Sequence, residues 1–511
     1  MPPLYGQWRC SLNHDPFPGK GVALSVKSAT LILFGATGDL AHRMLFPSLY
    51  NLLVDGLLPS PFNIVASGRT DMDDDAFRAT IAEALNTYLP AEMCDEETIA
   101  AFLATIVYCP VSAGDEAQFA ALARRVRSLG DGPIAVYLST PPALFAPTAQ
   151  GLAKTGLVTD STRIAMEKPI GQDLPSSREV NDAIGALFAE GQIFRVDHYL
   201  GKETVQNLMV LRFGNRLFEP LWNATAIDHV QITVAETVGL EGRVSYYDGV
   251  GALRDMVQNH MLQILSIIAM EPPARMDSTA VRDEKVKALR SLRPMDAESV
   301  RTHSVRGQYR DGAVKGKLVA GYLEELGKPS DTETFVALKA HIDNWRWTGV
   351  PFYLRTGKCL PNRQSEILIQ FKPVSHSIFK RQGVNGLLEP NRLIIRLQPE
   401  ESIRMVLMAK RPGLDREGVK LEEVGLDVSL THHFAGDRRR IAYERLLLDL
   451  LEGDTTLFVR RDEVEAQWTW IDSIVQGWRE SGQKVVPYAA GTWGPSAGIA
   501  LIERDGASWY D

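Results

Sequence analysis

Between residues 28 and 200 short apolar runs alternate with amphipathic helical stretches, and this alternation constrains the chain more than any other feature. Residues 29–34, 62–66, 105–108, 134–139, 163–166 and 192–196 read as strands. The first is followed by a helical stretch with Leu45, Leu49, Leu52 and Leu53 on one face, the second by one with Phe77, Ile81 and Leu85 in register. A strand that returns beside its predecessor after a helix must cross over in a right-handed sense. Repeated units of this kind build a parallel, doubly wound sheet.

Beyond residue 200 the rhythm changes. A helix over 202–212 and a strand over 230–234 come first, then a long helix over 248–270 with Leu253, Val257, Met261, Ile264 and Ile268 as its stripe. Residues 334–342, 366–371, 392–397 and 403–408 then alternate as strands without intervening helices, which indicates an antiparallel sheet. At 511 residues the chain exceeds one ordinary core. The expected division is a flexible leader over 1–27, an α/β domain over 28–200, and an α+β domain over 201–511 with a large, mainly antiparallel sheet.

Composition excludes several classes. The net charge is −8, from 63 acidic against 55 basic residues, which argues against nucleic acid or an anionic membrane as partner. No apolar run approaches the ~20 residues that span a bilayer, and the proline- and glycine-containing first 27 residues lack a signal peptide's apolar segment. Cys10, Cys94, Cys109 and Cys359 are scattered, without metal or redox spacing, so no metal is expected and a reduced, cytoplasmic compartment is.

The first strand runs into Gly35-Ala36-Thr37-Gly38-Asp39-Leu40. Two glycines allow a tight turn and close approach of backbone to phosphate at a helix N-terminus. Alone, the spacing equally suits a plain strand-to-helix turn; on the first strand of an α/β domain it favours a dinucleotide. The second strand ends in Ser67-Gly68-Arg69-Thr70. An acidic residue there would hold a ribose 2′-hydroxyl, whereas arginine pairs with a 2′-phosphate, so NADP is favoured over NAD.

Three further segments concentrate polar chemistry. Glu167-Lys168-Pro169 ends a strand, where open α/β sheets bind ligands. Arg195-Val196-Asp197-His198-Tyr199-Leu200-Gly201-Lys202 spans the domain junction, and His198, Tyr199 and Lys202 offer three donors to an anion. Asp255-Met256-Val257-Gln258-Asn259-His260 lies in the long apolar helix, whose polar residues need partners. Any one of these, taken singly, is as readily structural.

Together the segments resemble the glucose-6-phosphate dehydrogenase family in order and spacing, from about residue 28 to the closing Tyr488-Ala489-Ala490-Gly491-Thr492-Trp493-Gly494-Pro495. Arg355-Thr356-Gly357-Lys358, with Arg363 beyond it, resembles a further family motif. The resemblance implies a Rossmann-like coenzyme domain and oxidation of glucose 6-phosphate at C1 by NADP⁺, the first oxidative step of the pentose phosphate pathway. It implies His260 as general base, oriented by Asp197. It implies His198, Tyr199, Lys202, Lys358 and Arg363 facing the substrate, Glu236 and Asp255 on sugar hydroxyls, and Lys168 between substrate and coenzyme. Arg69 would take the 2′-phosphate, and a homodimer or homotetramer would form through the second sheet.

The chain departs from the family pattern in places. His42 replaces a residue that is often lysine or arginine, and Phe145 a tyrosine found near the coenzyme in some members. Val406 replaces a basic position of a second, structural coenzyme site, although Arg396 matches another. Two rivals are an NADP-dependent oxidoreductase of another sugar and a non-catalytic NADP sensor. The latter would have no reason to keep His260 and Asp197.

Overall fold

A computed structural model describes residues 28–240, 244–379, 388–414, 420–434, 436 and 438–510. The leader expected over 1–27 lies outside the described residues.

Six strands, β1 (Ala29–Phe34), β2 (Phe62–Ser67), β3 (Ile106–Tyr108), β4 (Ile134–Leu138), β5 (Arg163–Met166) and β6 (Ile193–Arg195), form an all-parallel sheet in the order β3-β2-β1-β4-β5-β6. Every residue of β1 is buried, as a strand covered by helices on both faces requires. The order reverses direction between β1 and β4, and ligands bind doubly wound sheets at such a crevice. Gly35, at φ +77°, turns the chain out of β1; a Cβ there would lie 2.1 Å from the carbonyl oxygen of Ser139 at the end of β4. No other residue fits that approach.

The second sheet has nine strands. They are β7 (Ile227–Ala235), β8 (Ser304–Arg310), β11 (Phe335–His341), β12 (Pro351–Gly357), β13 (Gln364–Phe371), β14 (Arg392–Gln398), β15 (Ser402–Lys410), β16 (Leu421–Ser429) and β17 (Val486–Ala489), in the order β16-β15-β14-β13-β7-β12-β11-β8-β17. A separate hairpin joins β9 (Gly312–Val314) and β10 (Lys317–Val319). The large sheet is mainly antiparallel, but β7 pairs with β12, and β8 with β17, in parallel. The long helical connection after β7 and the late return of the C-terminal segment make these parallel pairings possible.

One expectation is corrected. Residues 248–270 do not form one α-helix. Gly249 and Gly251, at φ +94° and +72°, interrupt the start; Leu253–Met261 winds as a π-helix and Leu262–Ala269 as an α-helix. The buried Glu333 carboxylate accepts the Leu253 N–H at 3.2 Å and closes that helix start. The π segment carries Asp255 and His260; π-helical turns are uncommon and concentrate at functional sites. A second π-helical turn, Ala41–Leu45, follows the glycine turn.

A continuous apolar core runs from the first sheet through Leu262, Ile264 and Leu265 to Ile232 and Ile369 of the second. The C-terminal helices Ala442–Glu452 and Arg461–Ser481 return to pack against helices of the first sheet, Phe46–Val54 and Leu174–Gly185. Among the described residues no helix is long and apolar enough to cross a membrane.

Candidate active site

A cleft of about 920 Å³ opens where the two sheets meet. On one side it is walled by Asp39, Leu40, Arg43 and Met44 after β1 and by Ser139, Thr140, Pro141 and Pro142 after β4. Lys168, His198, Tyr199, Lys202, Glu236, Asp255, His260, Lys358 and Arg363 complete it. Residues drawn from seven separate stretches of sequence thus face one space.

Asp197 sits behind the wall. After β6 the chain makes two tight turns, with Leu200 N–H on the Asp197 carbonyl and Lys202 N–H on that of Tyr199. The Asp197 carboxylate accepts the Tyr199 N–H at 2.9 Å and lies 2.5 Å from Nδ1 of His260. Both side chains are buried. Nε2 of His260 is buried without a hydrogen-bond partner among the described residues, leaving it available to a proton from a ligand in the cleft.

Burial, followed by the charge of Lys168, holds the His260 imidazole well below its ordinary pKa of 6.5. Burial raises Asp197 above the usual carboxylate value. The His260 ring stacks on Tyr199 at 4.3 Å and meets His198 edge-on at 4.4 Å. Asp197, His198 and His260 also come close enough to share a cation, a cluster that their spacing in sequence does not reveal.

Lys202, Arg363, Arg439 and Arg440 give the cleft a basic stretch of wall, with Glu401 among them. Lys202 Nζ stands 3.6 Å from the centre of the Tyr199 ring. Burial, with Arg363 nearby, lowers its pKa to about 8. Elsewhere in the cleft the ends of paired strands fix the geometry. Glu236 follows β7 and Lys358 follows β12, and because Ala235 pairs with Gly357 the two side chains meet, Lys358 Nζ donating to Glu236 at 2.5 Å. Lys168 donates to the Asp255 backbone carbonyl at 3.1 Å and lies 3.4 Å from its carboxylate. Burial would raise Asp255, but Lys168 and Lys358 overcome it and bring the carboxyl to about 2.

Gly35, Ala36, Thr37 and Gly38 lie under the β1 side of the cleft, whose described wall begins at Asp39. Gly68 packs on Thr37, where a Cβ would come within 3.1 Å, so the end of β2 abuts the glycine turn. Arg69 follows, exposed and outside the walled cleft. Bare backbone at the sheet's switch point, a helix start and an exposed guanidinium beside it fit a dinucleotide.

The structure adds residues that the motifs did not indicate. Tyr443, from the returning C-terminal helix, stacks on His198 at 6.1 Å and stands with Tyr137 at the buried Glu167 carboxylate, where Tyr137 donates at 2.6 Å. Ser365 Oγ lies 3.5 Å from the Tyr199 hydroxyl. Neither belongs to a local motif; only chain folding brings them in. His42 turns inward, its Nε2 buried without a hydrogen-bond partner among the described residues, and Arg43 faces the cleft instead, 3.5 Å from Asp39. Phe145 is fully buried in the core. Arg195 is structural, buried and paired with Glu190 at 2.6 Å.

Residues 32–207 match the family described as glucose-6-phosphate dehydrogenase, NAD binding domain, and residues 209–510 its C-terminal domain. Glucose-6-phosphate 1-dehydrogenase of Zymomonas mobilis is 58% identical over 94% of this chain and 99% of its own, and that of Rhizobium meliloti 52% identical over 96% and 99%. A solved structure described as glucose-6-phosphate dehydrogenase in complex with its substrate glucose-6-phosphate superposes with a TM-score of 0.86 at 32% identity, covering 95% of this chain and 99% of that one. The dinucleotide-binding sheet, the cleft and these likenesses agree: the chain is an oxidoreductase with a nicotinamide dinucleotide cofactor and belongs to the glucose-6-phosphate dehydrogenase family.

Proposed function

We propose that the protein oxidises D-glucose 6-phosphate to 6-phospho-D-glucono-1,5-lactone with NADP⁺ as coenzyme, the first oxidative step of the pentose phosphate pathway. The observation that carries this reading is the buried His260–Asp197 pair, with an unpartnered imidazole nitrogen, between a cationic pocket and the sheet's switch point.

His260 Nε2 takes the C1 hydroxyl proton while Nδ1–H stays on Asp197, which orients the ring and stabilises its charge. Lys202, His198, Tyr199 and Arg363 hold the phosphate; Glu236, Asp255 and Lys358 hold sugar hydroxyls; Lys168 faces substrate and coenzyme. Asp39 and Leu40 with the glycine turn would receive the coenzyme's phosphates, and Arg69 the 2′-phosphate. When bound, the nicotinamide supplies the hydride acceptor. Residues 28–200 form the coenzyme domain in this reading and 201–511 the substrate and assembly domain.

The test is absorbance of reduced coenzyme with glucose 6-phosphate or free glucose and with NADP⁺ or NAD⁺. Turnover restricted to the phosphorylated sugar and faster with NADP⁺ is expected. Equal rates for both sugars would remove the phosphate pocket, and no signal with either coenzyme would favour the sensor.

A homo-oligomer belongs to the same proposal. On one face of β15 and β16, Ile403, Met405 and Leu407 lie opposite Val428, Leu426 and Val424, the last three about half exposed. A contiguous apolar face of this kind calls for a partner, and a second copy of the sheet offers a matching one. The free cysteines Cys94, Cys109 and Cys359 suit a reduced, cytoplasmic setting.

A further inference from the structure

Behind the wall that carries Asp255 lies a second cavity of about 380 Å³. Arg254 lines it, so consecutive residues of the π-helix face two different spaces. Arg306 of β8, Arg479 near the end of the helix Arg461–Ser481, and Lys484 complete a set of four cations, with Asp331 and Glu333 as the carboxylates of the wall.

The charges do not cancel. Glu333 is occupied by the Leu253 N–H at 3.2 Å and by Arg306 at 3.4 Å. Arg306 also donates to the Asp331 carbonyl at 2.7 Å, rests 4.7 Å from the Trp478 ring centre, and keeps a buried Nε without a hydrogen-bond partner among the described residues. Arg254 donates from Nε to the Gln172 carbonyl at 3.0 Å. Among the described residues, neither Arg254, Arg479 nor Lys484 forms an ion pair within 4 Å, although the Asp173 and Asp472 carboxylates lie within electrostatic reach of Arg254 and Arg479. Three unpaired cations and one unfilled guanidinium nitrogen surround a space of metabolite size, with Thr332 and Gln483 adding neutral polar groups.

We propose that this cavity binds a small oxyanion of the phosphate class, separately from the sugar-phosphate pocket. Tetrahedral oxyanions match the fork of an arginine and gain most where several cations converge. A cation would be repelled, and an apolar ligand would strand the guanidinium groups.

Isothermal titration of the full chain with inorganic phosphate, and with glycerol 2-phosphate as an ester, tests the site. Two classes of binding are expected. Lys202→Ala weakens one and spares the other; Arg479→Ala/Lys484→Ala weakens the other by about tenfold or more, the scale of a lost charged hydrogen bond. Both of the latter side chains are exposed, so the double variant retains its fold. The tighter probe tells whether the free ion or an ester is the natural source. A single class removed by Lys202→Ala, or a second class indifferent to the double substitution, overturns the proposal. If Lys202→Ala changes nothing while the double variant weakens binding, the sugar-pocket reading fails and this one stands.

Discussion

Nδ1 of His260 lies 2.5 Å from Oδ1 of Asp197, and both groups are buried at the junction of two sheets. The hydrogen bond fixes the ring so that Nε2 is the nitrogen free to work. His260→Asn is therefore expected to lower kcat by on the order of 10²-fold or more, the scale of general-base catalysis, with KM for glucose 6-phosphate little changed. Asp197→Asn, which cannot stabilise an imidazolium, should fall in the same direction. Steady-state kinetics of both variants decide the matter, and near-normal turnover in His260→Asn would remove it from the mechanism.

The pH profile follows from burial. His260 is held below 6.5, so it keeps its lone pair as pH falls through that value and is protonated only at lower pH. The acid limb of kcat/KM should accordingly have its midpoint below 6.5. A midpoint at or above that value would mean that the buried imidazole is not the titrating base.

Lys202 has the opposite consequence. Its pKa is lowered to about 8, so the ammonium is present below that pH and lost above it. KM for glucose 6-phosphate should rise as pH passes about 8. Lys202→Met should raise KM roughly tenfold to a hundredfold at pH 7, the range of a charged hydrogen bond, and flatten that rise. An unchanged slope in the variant would assign the effect to another group.

Arg69 is tested by comparing coenzymes. Arg69→Ala should raise KM for NADP⁺ by about tenfold or more and leave that for NAD⁺ nearly unchanged, because only NADP⁺ carries a 2′-phosphate. Equal effects on the two would mean that Arg69 does not read that position.

The apolar face of β15 and β16 makes a prediction about mass. Leu426→Asp places a charge in its centre, where Leu426 is 56% exposed. Light scattering should report a shift toward the monomer at micromolar protein, with secondary structure retained. A variant that keeps the parent mass would exclude this face as the contact.

Local patterning made the first sheet legible. Each of its strands is short, apolar and bounded by turn residues, and the period alone placed all six within two residues. The second sheet was legible only in part. β8, β12, β16 and β17 were not anticipated: β12 runs through Arg355, Thr356 and Gly357 of the Arg355–Lys358 motif, and β16 presents too little buried surface for a clear alternation. The π-helical winding was invisible because its apolar residues still fit an α-helical stripe, and the Glu333 contact at its start comes from a segment distant in sequence. Nor could sequence reasoning reach the depressed basicity of His260, which follows from what surrounds it. Tyr443 and Ser365 carry no motif, and neither does Arg43 beside His42.

The parallel pairing of β7 with β12 bears on how the proposed sugar pocket evolves. A one-residue slip between those strands is a displacement of roughly 3.3 Å, enough to part Glu236 from Lys358, which touch at 2.5 Å. The backbone ladder thus acts as a gauge for the ligand. Loops around the cleft are free to lengthen or drift, while the spacing of these two groups is inherited from main-chain hydrogen bonds that a point mutation barely disturbs.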